Sequence, residues 1–147
     1  MRLQEGSDAF EGYGQIFIKQ SMASGIIPQI TAILGTCGGS AAMIPSLSDF
    51  VLMTKECTNF YLNSMNTLEG VMNEKGAVGS ATYHGVNAGI VDVVCDDEAV
   101  LAQDIKELLS LLPSNNHEDA PFHAGHDDFN RELPELNNLS EQLVDGR

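Results

Sequence analysis

An apolar run that breaks into a glycine-rich turn is the feature that most constrains this fold. Residues 30–34 are apolar almost throughout, Gly35 begins the turn, and small residues then lead on to Met43. The pattern predicts a buried strand, a tight turn and the start of a helix. Glycines permit positive φ and close approach of another molecule, and a helix start leaves N–H groups unpaired. The turn therefore suits either a bound anion or a plain connection between two elements.

Around this turn, the sequence predicts helices and strands in alternation, which is typical of an α/β fold. The uninterrupted apolar character of residues 29–34 predicts a central strand covered on both faces. Asp96, Asp97 and Glu98 place negative charge at the start of the last helix, which Pro113 ends. The predicted elements are a helix at 7–24, a strand at 29–34, a short helix at 40–45, strands at 50–53 and 59–62, helical turns at 65–71, a loop at 76–85, a strand at 88–95 and a helix at 96–112.

Helical periodicity identifies the side chains that each long helix turns inward. The first helix repeats Phe10, Tyr13, Ile16, Phe17 and Met22. The last helix repeats Val100, Leu101, Ile105, Leu108, Leu109 and Leu112.

Charge and cysteine content exclude several classes of protein. A formal net charge of -14 over 147 residues argues against a nucleic-acid partner. Cys37, Cys57 and Cys95 are too few and too widely spaced for a disulfide framework or a zinc site, and we expect buried, reduced thiols. No apolar stretch is long enough for a membrane span or a signal core, so a cytoplasmic protein without a membrane partner is expected.

The composition changes near Pro113 and divides the chain into two parts. Residues 1–113 read as a domain core, and residues 114–147 as an acidic extension that wraps over the surface or over another subunit. This extension carries histidines among carboxylates, which suits either a metal-binding tract or a solvated acidic loop; because no zinc-site spacing repeats, we assign no metal. Its residues of this kind are His117, Glu118, Asp119, His123, His126, Asp127 and Asp128.

The glycine turn lacks the residues of two common catalytic motifs. A P-loop needs a lysine after its last glycine, and Ser40 and Ala41 stand there instead; a nucleophile elbow needs glycine at Ala42. What remains is a backbone site in which N–H groups near Gly39 and Ser40 stabilise charge on a carbonyl oxygen. The alternative is a hydrolase triad in which Ser40 is the nucleophile, with a histidine and a carboxylate elsewhere in the chain. Its remaining members would be His84 and Asp92, although His84 also suits a purely structural role.

Taken together and in order, these residues resemble the carboxyltransferase subunit of biotin-dependent acyl-CoA carboxylases, of the propionyl-CoA carboxylase β type. The likeness spans nearly the whole chain, which makes it far more specific than any single motif. It is carried by Met1-Arg2-Leu3-Gln4-Glu5-Gly6, Tyr13-Gly14-Gln15-Ile16-Phe17, Ala23-Ser24-Gly25-Ile26-Ile27-Pro28-Gln29-Ile30, Gly35-Thr36-Cys37-Gly38-Gly39-Ser40-Ala41, Pro45, Leu47, Asp49, Phe50, Gly79-Ser80-Ala81, His84, Gly89, Leu111-Leu112-Pro113, His126-Asp127, Arg131 and Pro134-Glu135-Leu136.

The resemblance implies an incomplete crotonase-like fold, related to the Clp proteases, in which ββα units form a spiral. It implies carboxyl transfer between carboxybiotin and an acyl-CoA, with Gly39 and Ser40 as the catalytic N–H donors to the enolate oxygen. Gly35, Gly38 and Ala41 would be substrate-binding. Biotin would arrive on a carrier rather than be bound covalently. The implied partners are acyl-CoA, the biotin carboxyl carrier, the biotin carboxylase component, and either a missing carboxyltransferase half or further copies in an oligomer.

Two positions in the turn depart from the family pattern. The family has Gly-Gly where this chain has Gly39-Ser40, and alanine where it has Gly38. The family's Gly-Gly-Ala-Arg-Ile-Gln-Glu-Gly motif begins ahead of Met1, and the biotin-facing domain follows the matched region. We therefore expect a partial N-terminal domain that is inactive alone. A non-catalytic assembly module of the same fold and a Ser/His hydrolase of the Clp type stay as alternatives.

Overall fold

The structure, a computed structural model, describes residues 6–63, 78–122, 124–126, 128, 130–132 and 134. Helices and parallel strands alternate along this part of the chain, so the α/β prediction is confirmed. In order the elements are α1 (Gly6–Ala23), β1 (Ile30–Ile33), β2 (Thr36–Gly38), a 3₁₀ turn (Gly39–Ala42) that leads into α2 (Met43–Ser46), β3 (Phe50–Thr54), β4 (Asn59–Tyr61), α3 (Ala81–Tyr83) continued by a π turn (His84–Ala88), β5 (Val93–Cys95) and α4 (Glu98–Leu111).

Two small parallel sheets build the described fold. The first has the order β1-β3-β5, with Ile30 opposite Phe50 and Leu52 opposite Val93. The second pairs β2 with β4, and Gly38 lies opposite Tyr61 in its register. The second sheet therefore carries the glycine turn at its end.

Alternating side chains of β3 divide the apolar core between the two faces of the first sheet. Val51 and Met53 join one cluster, whereas Leu52 joins the other with Cys95 and Leu101. Helix α4 covers the Leu52 face, and its Asp97 cap accepts hydrogen bonds from two backbone N–H groups of its first turn. The other cluster contains Ile33, Ala42, Val51, Met53, Phe60, Ala81 and Val91, and it supports the second sheet and the 3₁₀ turn.

The strand predicted to be central lies at an edge instead. In the described part, β1 pairs only with β3, and Ile33 is its one buried residue. The central strand is β3, whose residues from Val51 to Thr54 are all buried. Apolar content alone did not distinguish the two strands, because strand order depends on pairing between distant segments.

The glycine segment contains a strand that the sequence prediction missed. Thr36–Gly38 forms β2 where a turn was predicted, because its partner β4 lies far along the chain. Beyond it, the predicted short helix is confirmed as the 3₁₀ turn and α2.

The loop prediction for residues 76–85 agrees with the structure at 78–80, which form a turn, but is wrong from Ala81 onward. Ser80 caps α3 by accepting a hydrogen bond from the Tyr83 N–H, and the helical backbone continues to Ala88. Gly89, with φ of 66°, ends it. The predicted strand at 88–95 is thereby shortened to Val93–Cys95, while residues 65–71, predicted as helical turns, lie outside the described residues.

Both long helices are confirmed, but less of each predicted apolar face is buried. Phe10 and Met22 of α1 are 64% and 70% exposed, and no residue of α1 is buried. In α4, Leu101 is buried whereas Leu109 is exposed. The thiol prediction is also partly wrong: all three cysteines are free, but Cys57 is exposed.

Candidate functional site

The 3₁₀ turn Gly39–Ala42 places two backbone N–H groups at the end of the second sheet. Gly38 precedes the turn in extended conformation, and Gly39 has φ of 64°, a left-handed value that glycine adopts without strain. In a 3₁₀ turn each N–H group donates to the carbonyl three residues earlier, so the third residue is the first whose acceptor belongs to the turn or its cap. The N–H groups of the first two residues, Gly39 and Ser40, therefore have no acceptor within the turn. Both residues are half-buried. The turn therefore offers two neighbouring donors for one oxygen atom.

The ring of Tyr61 lies directly against Gly38. A Cβ atom at Gly38 would sit 2.5 Å from Cε2 and 2.9 Å from Cζ of Tyr61. Because Gly38 has an ordinary extended backbone, this close approach of the ring is what requires glycine there. Tyr61 thus packs on the residue that immediately precedes the two donors.

Two cavities flank the turn. The one that we call the β1 cavity has a volume of about 250 Å³, and Gly35 and Ala41 both line it. The second, the Tyr61 cavity, has a volume of about 340 Å³ and lies on the side of Ala42 and Tyr61. The predicted substrate-binding residues therefore divide: Gly35 and Ala41 share the β1 cavity, whereas Gly38 lines neither cavity and contacts the ring of Tyr61.

His84 is buried at the wall of the Tyr61 cavity. It is 8% exposed, and its Nε2 lies 2.7 Å from the carbonyl oxygen of Phe60. A carbonyl oxygen only accepts, so Nε2 carries the hydrogen and donates it. Nδ1 has no hydrogen-bond partner. The imidazole therefore ties β4 to the π turn.

The catalytic triad considered from the sequence is not supported by these hydrogen bonds. Asp92 Oδ2 accepts a hydrogen bond from the Val51 N–H at 2.8 Å, which holds the residues before β5 against β3. His84 is bonded to Phe60. Neither group is bonded to Ser40 or to the other, so each serves a structural contact with a strand.

Two thiols, that of Cys37 beside the turn and that of Cys95 in the Leu52 cluster, favour their protonated form. Burial raises the pKa of Cys37, which lies in β2. Burial, the hydrogen bond to Asp104 and the nearby carboxylates raise the pKa of Cys95 to about 11. Since the thiolate is the nucleophile, neither group supplies one near neutral pH.

The acidic tract forms no metal cluster in the part of the chain that the structure describes. His117 and His126 are exposed there, and no group of three or more His, Cys, Asp or Glu residues is placed to hold a metal ion. His123 and Asp127, which the tract also includes, lie outside the described residues. Within the same described ranges, no helix has the length and apolarity that crossing a membrane requires.

The sequence identified the glycine turn but not the residues that line the Tyr61 cavity beside it. Tyr61, Leu62 and Ile90 line the Tyr61 cavity from β4 and from the end of the π turn, far from Gly39 in sequence. No local motif marks them, because the pairing of β2 with β4 brings Tyr61 and Leu62 to the turn, and Ile90 reaches the cavity from beyond the π turn. The short apolar strand around Phe60 was the only signal.

Comparison with known sequences identifies the class. Residues 1–143 match the carboxyl transferase domain family, and the chain belongs to that family. The structural neighbours are crotonase-fold carboxyltransferases, and the described α/β unit is an incomplete form of that fold. Both the resemblance found in the sequence and the fold class are thus confirmed.

Its relatives are subunits of acyl-CoA carboxyltransferase enzymes. The chain is 38% identical over 141 residues to the methylmalonyl-CoA decarboxylase subunit alpha of Propionigenium modestum, covering 94% of this chain and 27% of the relative. It is 33% identical to the propionyl-CoA carboxylase beta chain of Roseobacter denitrificans, covering 94% and 28%. A crystal structure of transcarboxylase 12S, with methylmalonyl-coenzyme A bound, matches with a TM-score of 0.77 and 34% identity, covering 95% of this chain and 27% of that one. The chain thus spans little more than a quarter of the length of these relatives.

Proposed function

We propose that this chain supplies part of an acyl-CoA carboxyltransferase site, in which the N–H groups of Gly39 and Ser40 bind the thioester oxygen. The observation that carries the proposal is the turn itself. Gly39 has positive φ, the two N–H groups have no partner within the turn, and cavities lie on either side. Membership of the carboxyl transferase domain family gives the reaction class.

The two donors would act on the charge that develops during carboxyl transfer. When a malonyl-type thioester loses CO₂, the electron pair of the breaking C–C bond moves onto the thioester oxygen and forms an enolate. Two preorganised N–H groups in a half-buried turn stabilise that oxygen more strongly than they stabilise the neutral carbonyl. The enolate then takes a proton from solvent, or its α-carbon bonds to the carboxyl carbon of a carboxyl donor while the bond from that carbon to the donor breaks. The same donors therefore serve decarboxylation, carboxylation and transcarboxylation.

The relatives suggest the remaining components. In carboxyl transfer, biotin carries the carboxyl group. Biotin would itself be attached to a separate carrier protein and would not be bound covalently to this chain. We assign no residue of the described chain to biotin. The proposed partners are acyl-CoA, a biotin carboxyl carrier with its biotin carboxylase, and the remaining carboxyltransferase part or further copies in an oligomer. We also propose a cytoplasmic location, and that residues 114–147 form an acidic surface extension of a core at 1–113.

Ser40 offers a substitution that removes a single donor. Proline lacks the N–H, and it is tolerated in the first turn of a helix, where that N–H has no partner in the turn. Ser40→Pro should lower the rate of carboxyl exchange between malonyl-CoA and biotin by about 10²-fold to 10³-fold, the usual effect of losing one oxyanion donor. Ser40→Ala keeps the N–H and should retain the rate.

The exchange is best measured with this chain alone and after mixing with the remaining carboxyltransferase part of a relative. Loss of rate in Ser40→Pro but not in Ser40→Ala supports the backbone site. Equal losses in both variants would contradict it and indicate a role for the Ser40 hydroxyl. An assembly module without a site would show neither exchange nor saturable heat on titration with propionyl-CoA.

A further inference from the structure

The Tyr61 cavity lies beside the proposed oxyanion turn and has an apolar lining. Its apolar side chains are Ala42, Met43, Leu47, Phe60, Leu62 and Ile90. Its polar side chains are Ser46, Tyr61 and His84, and two of these are already bonded: Ser46 to the Ala42 carbonyl and His84 to the Phe60 carbonyl. A volume of about 340 Å³ lies within the range of ligand pockets.

Starting from the proposed function, we infer that the Tyr61 cavity binds the acyl chain of the CoA thioester, and that it favours chains longer than propionyl. Ala42 is both the last residue of the 3₁₀ turn and part of the cavity wall. At about 2 Å of rise per residue, it lies within about 6 Å of Gly39 along the turn. An oxygen held by Gly39 and Ser40 therefore places the acyl carbons within a few bonds of this wall.

The open edge of β1 assigns the two arms of the thioester, since apolar side chains such as Ile33, Leu34 and Ile44 dominate the lining of the β1 cavity as well. The acyl arm is a hydrocarbon chain, whereas the CoA arm carries amides and phosphates, whose burial without hydrogen-bond partners costs free energy. The Tyr61 cavity suits the first arm, because its lining is mostly apolar. The β1 cavity suits the second, since β1 is an edge strand in the described part and its open edge presents backbone groups that can pair with amides.

The rim of the Tyr61 cavity explains why large apolar side chains are exposed there. Leu62 is 62% exposed, Met43 45% and Ile90 42%. These side chains belong to three segments that are separate in sequence and come together at this opening. A bound acyl chain would cover them, whereas Tyr61, which also lines the cavity, stays packed on Gly38.

Calorimetric titration of the full chain with acetyl-, butyryl- and hexanoyl-CoA tests this inference. Each methylene buried in the cavity should tighten binding about threefold to fourfold, so hexanoyl-CoA should bind roughly tenfold more tightly than butyryl-CoA. Ile90→Trp fills the cavity from its rim and should abolish this difference while acetyl-CoA still binds. Leu62→Trp, at an exposed position on the same rim, should have the same effect.

The matched control is Leu109→Trp, which adds the same side chain at an exposed position of α4 that does not line the cavity. It should keep the dependence on chain length, and thermal unfolding of each variant shows whether it folds. Binding that is equally tight for all chain lengths, or a tenfold difference that survives both rim substitutions, would overturn the inference while leaving the proposed function intact. Absence of saturable heat with every thioester, acetyl-CoA included, would instead contradict the proposed function and the inference with it.

Discussion

Gly38→Ala isolates the contact between the glycine turn and the ring of Tyr61. The backbone of Gly38 is extended, with φ of -133° and ψ of 160°, which alanine adopts freely. A Cβ there would lie 2.5 Å from Cε2 of Tyr61, and ordinary contacts begin near 3.5 Å. The ring must therefore move by about 1 Å. Any loss of stability would come from that contact and not from the backbone.

Two opposing terms give the expected magnitude. Overpacking of this kind costs about 1–3 kcal/mol. Replacing glycine by alanine at an unstrained position restricts the unfolded chain and returns about 0.4–1 kcal/mol. Because the ring is half-buried and can shift partly outward, we expect a net loss of about 1 kcal/mol in the free energy of unfolding.

The control is Gly35→Ala, a glycine just before β2 whose added Cβ would meet no atom within 4 Å and whose φ is not positive. It should leave stability unchanged or raise it slightly. Urea unfolding gives both values. In a chain that already carries Tyr61→Leu, Gly38→Ala should cost much less stability than it does in the original chain, since the leucine removes the ring atoms that the methyl group meets. Equal stability of Gly38→Ala and Gly35→Ala, or a double variant in which the two losses simply add, would refute the contact.

Three further predictions concern the turn and its support. In Gly39→Ala the added methyl group meets no neighbouring atom, but an L-residue is held at φ of 64°, so the free energy of unfolding should fall by about 1–2 kcal/mol. Gly39→Asn should lower it by less, since asparagine tolerates this conformation better. Equal losses of the two variants in urea titrations would contradict the backbone cause. Asp97→Ala removes the cap of α4 and should cost about 0.5–2 kcal/mol, whereas Asp97→Asn should cost little, as thermal unfolding would show. The pKa of Cys95, raised from 9.0 to about 11, favours the neutral thiol in the folded chain. The free energy of unfolding should therefore be unaffected by this thiol below pH 9 and should fall between pH 9 and 11, where only the unfolded chain loses the proton. This fall should be absent in Cys95→Ala.

The class of fold could be predicted from local sequence because helix signals act over a few residues. Asp97 and Pro113 bounded the last helix, and Gly25, with φ of 72°, follows the first. Strand order could not be predicted in the same way. Phe50–Thr54 and Ile30–Ile33 are both apolar, and only the pairing of β3 with β1 and β5 makes the former central.

For the candidate site too, residues marked by local sequence could be predicted, and residues brought in by distant contacts could not. Gly39 and Ser40 could be identified from the glycine pattern, because helix starts and positive φ are properties of adjacent residues. Tyr61 and Ile90 could not, since they reach the turn through contacts between segments that are distant in sequence. The need for glycine at position 38 has the same origin, in a ring that no local pattern reveals.

We propose that the N–H groups of Gly39 and Ser40 hold the thioester oxygen of an acyl-CoA. The most direct measurement is ¹H–¹⁵N NMR of the 15.8 kDa chain during titration with propionyl-CoA, with free CoA as the control. We expect saturable downfield shifts of both amide protons with the thioester that free CoA does not produce, since free CoA has no carbonyl at that position. Saturable binding in which these two amide signals stay unchanged, or shift equally with free CoA, would contradict it.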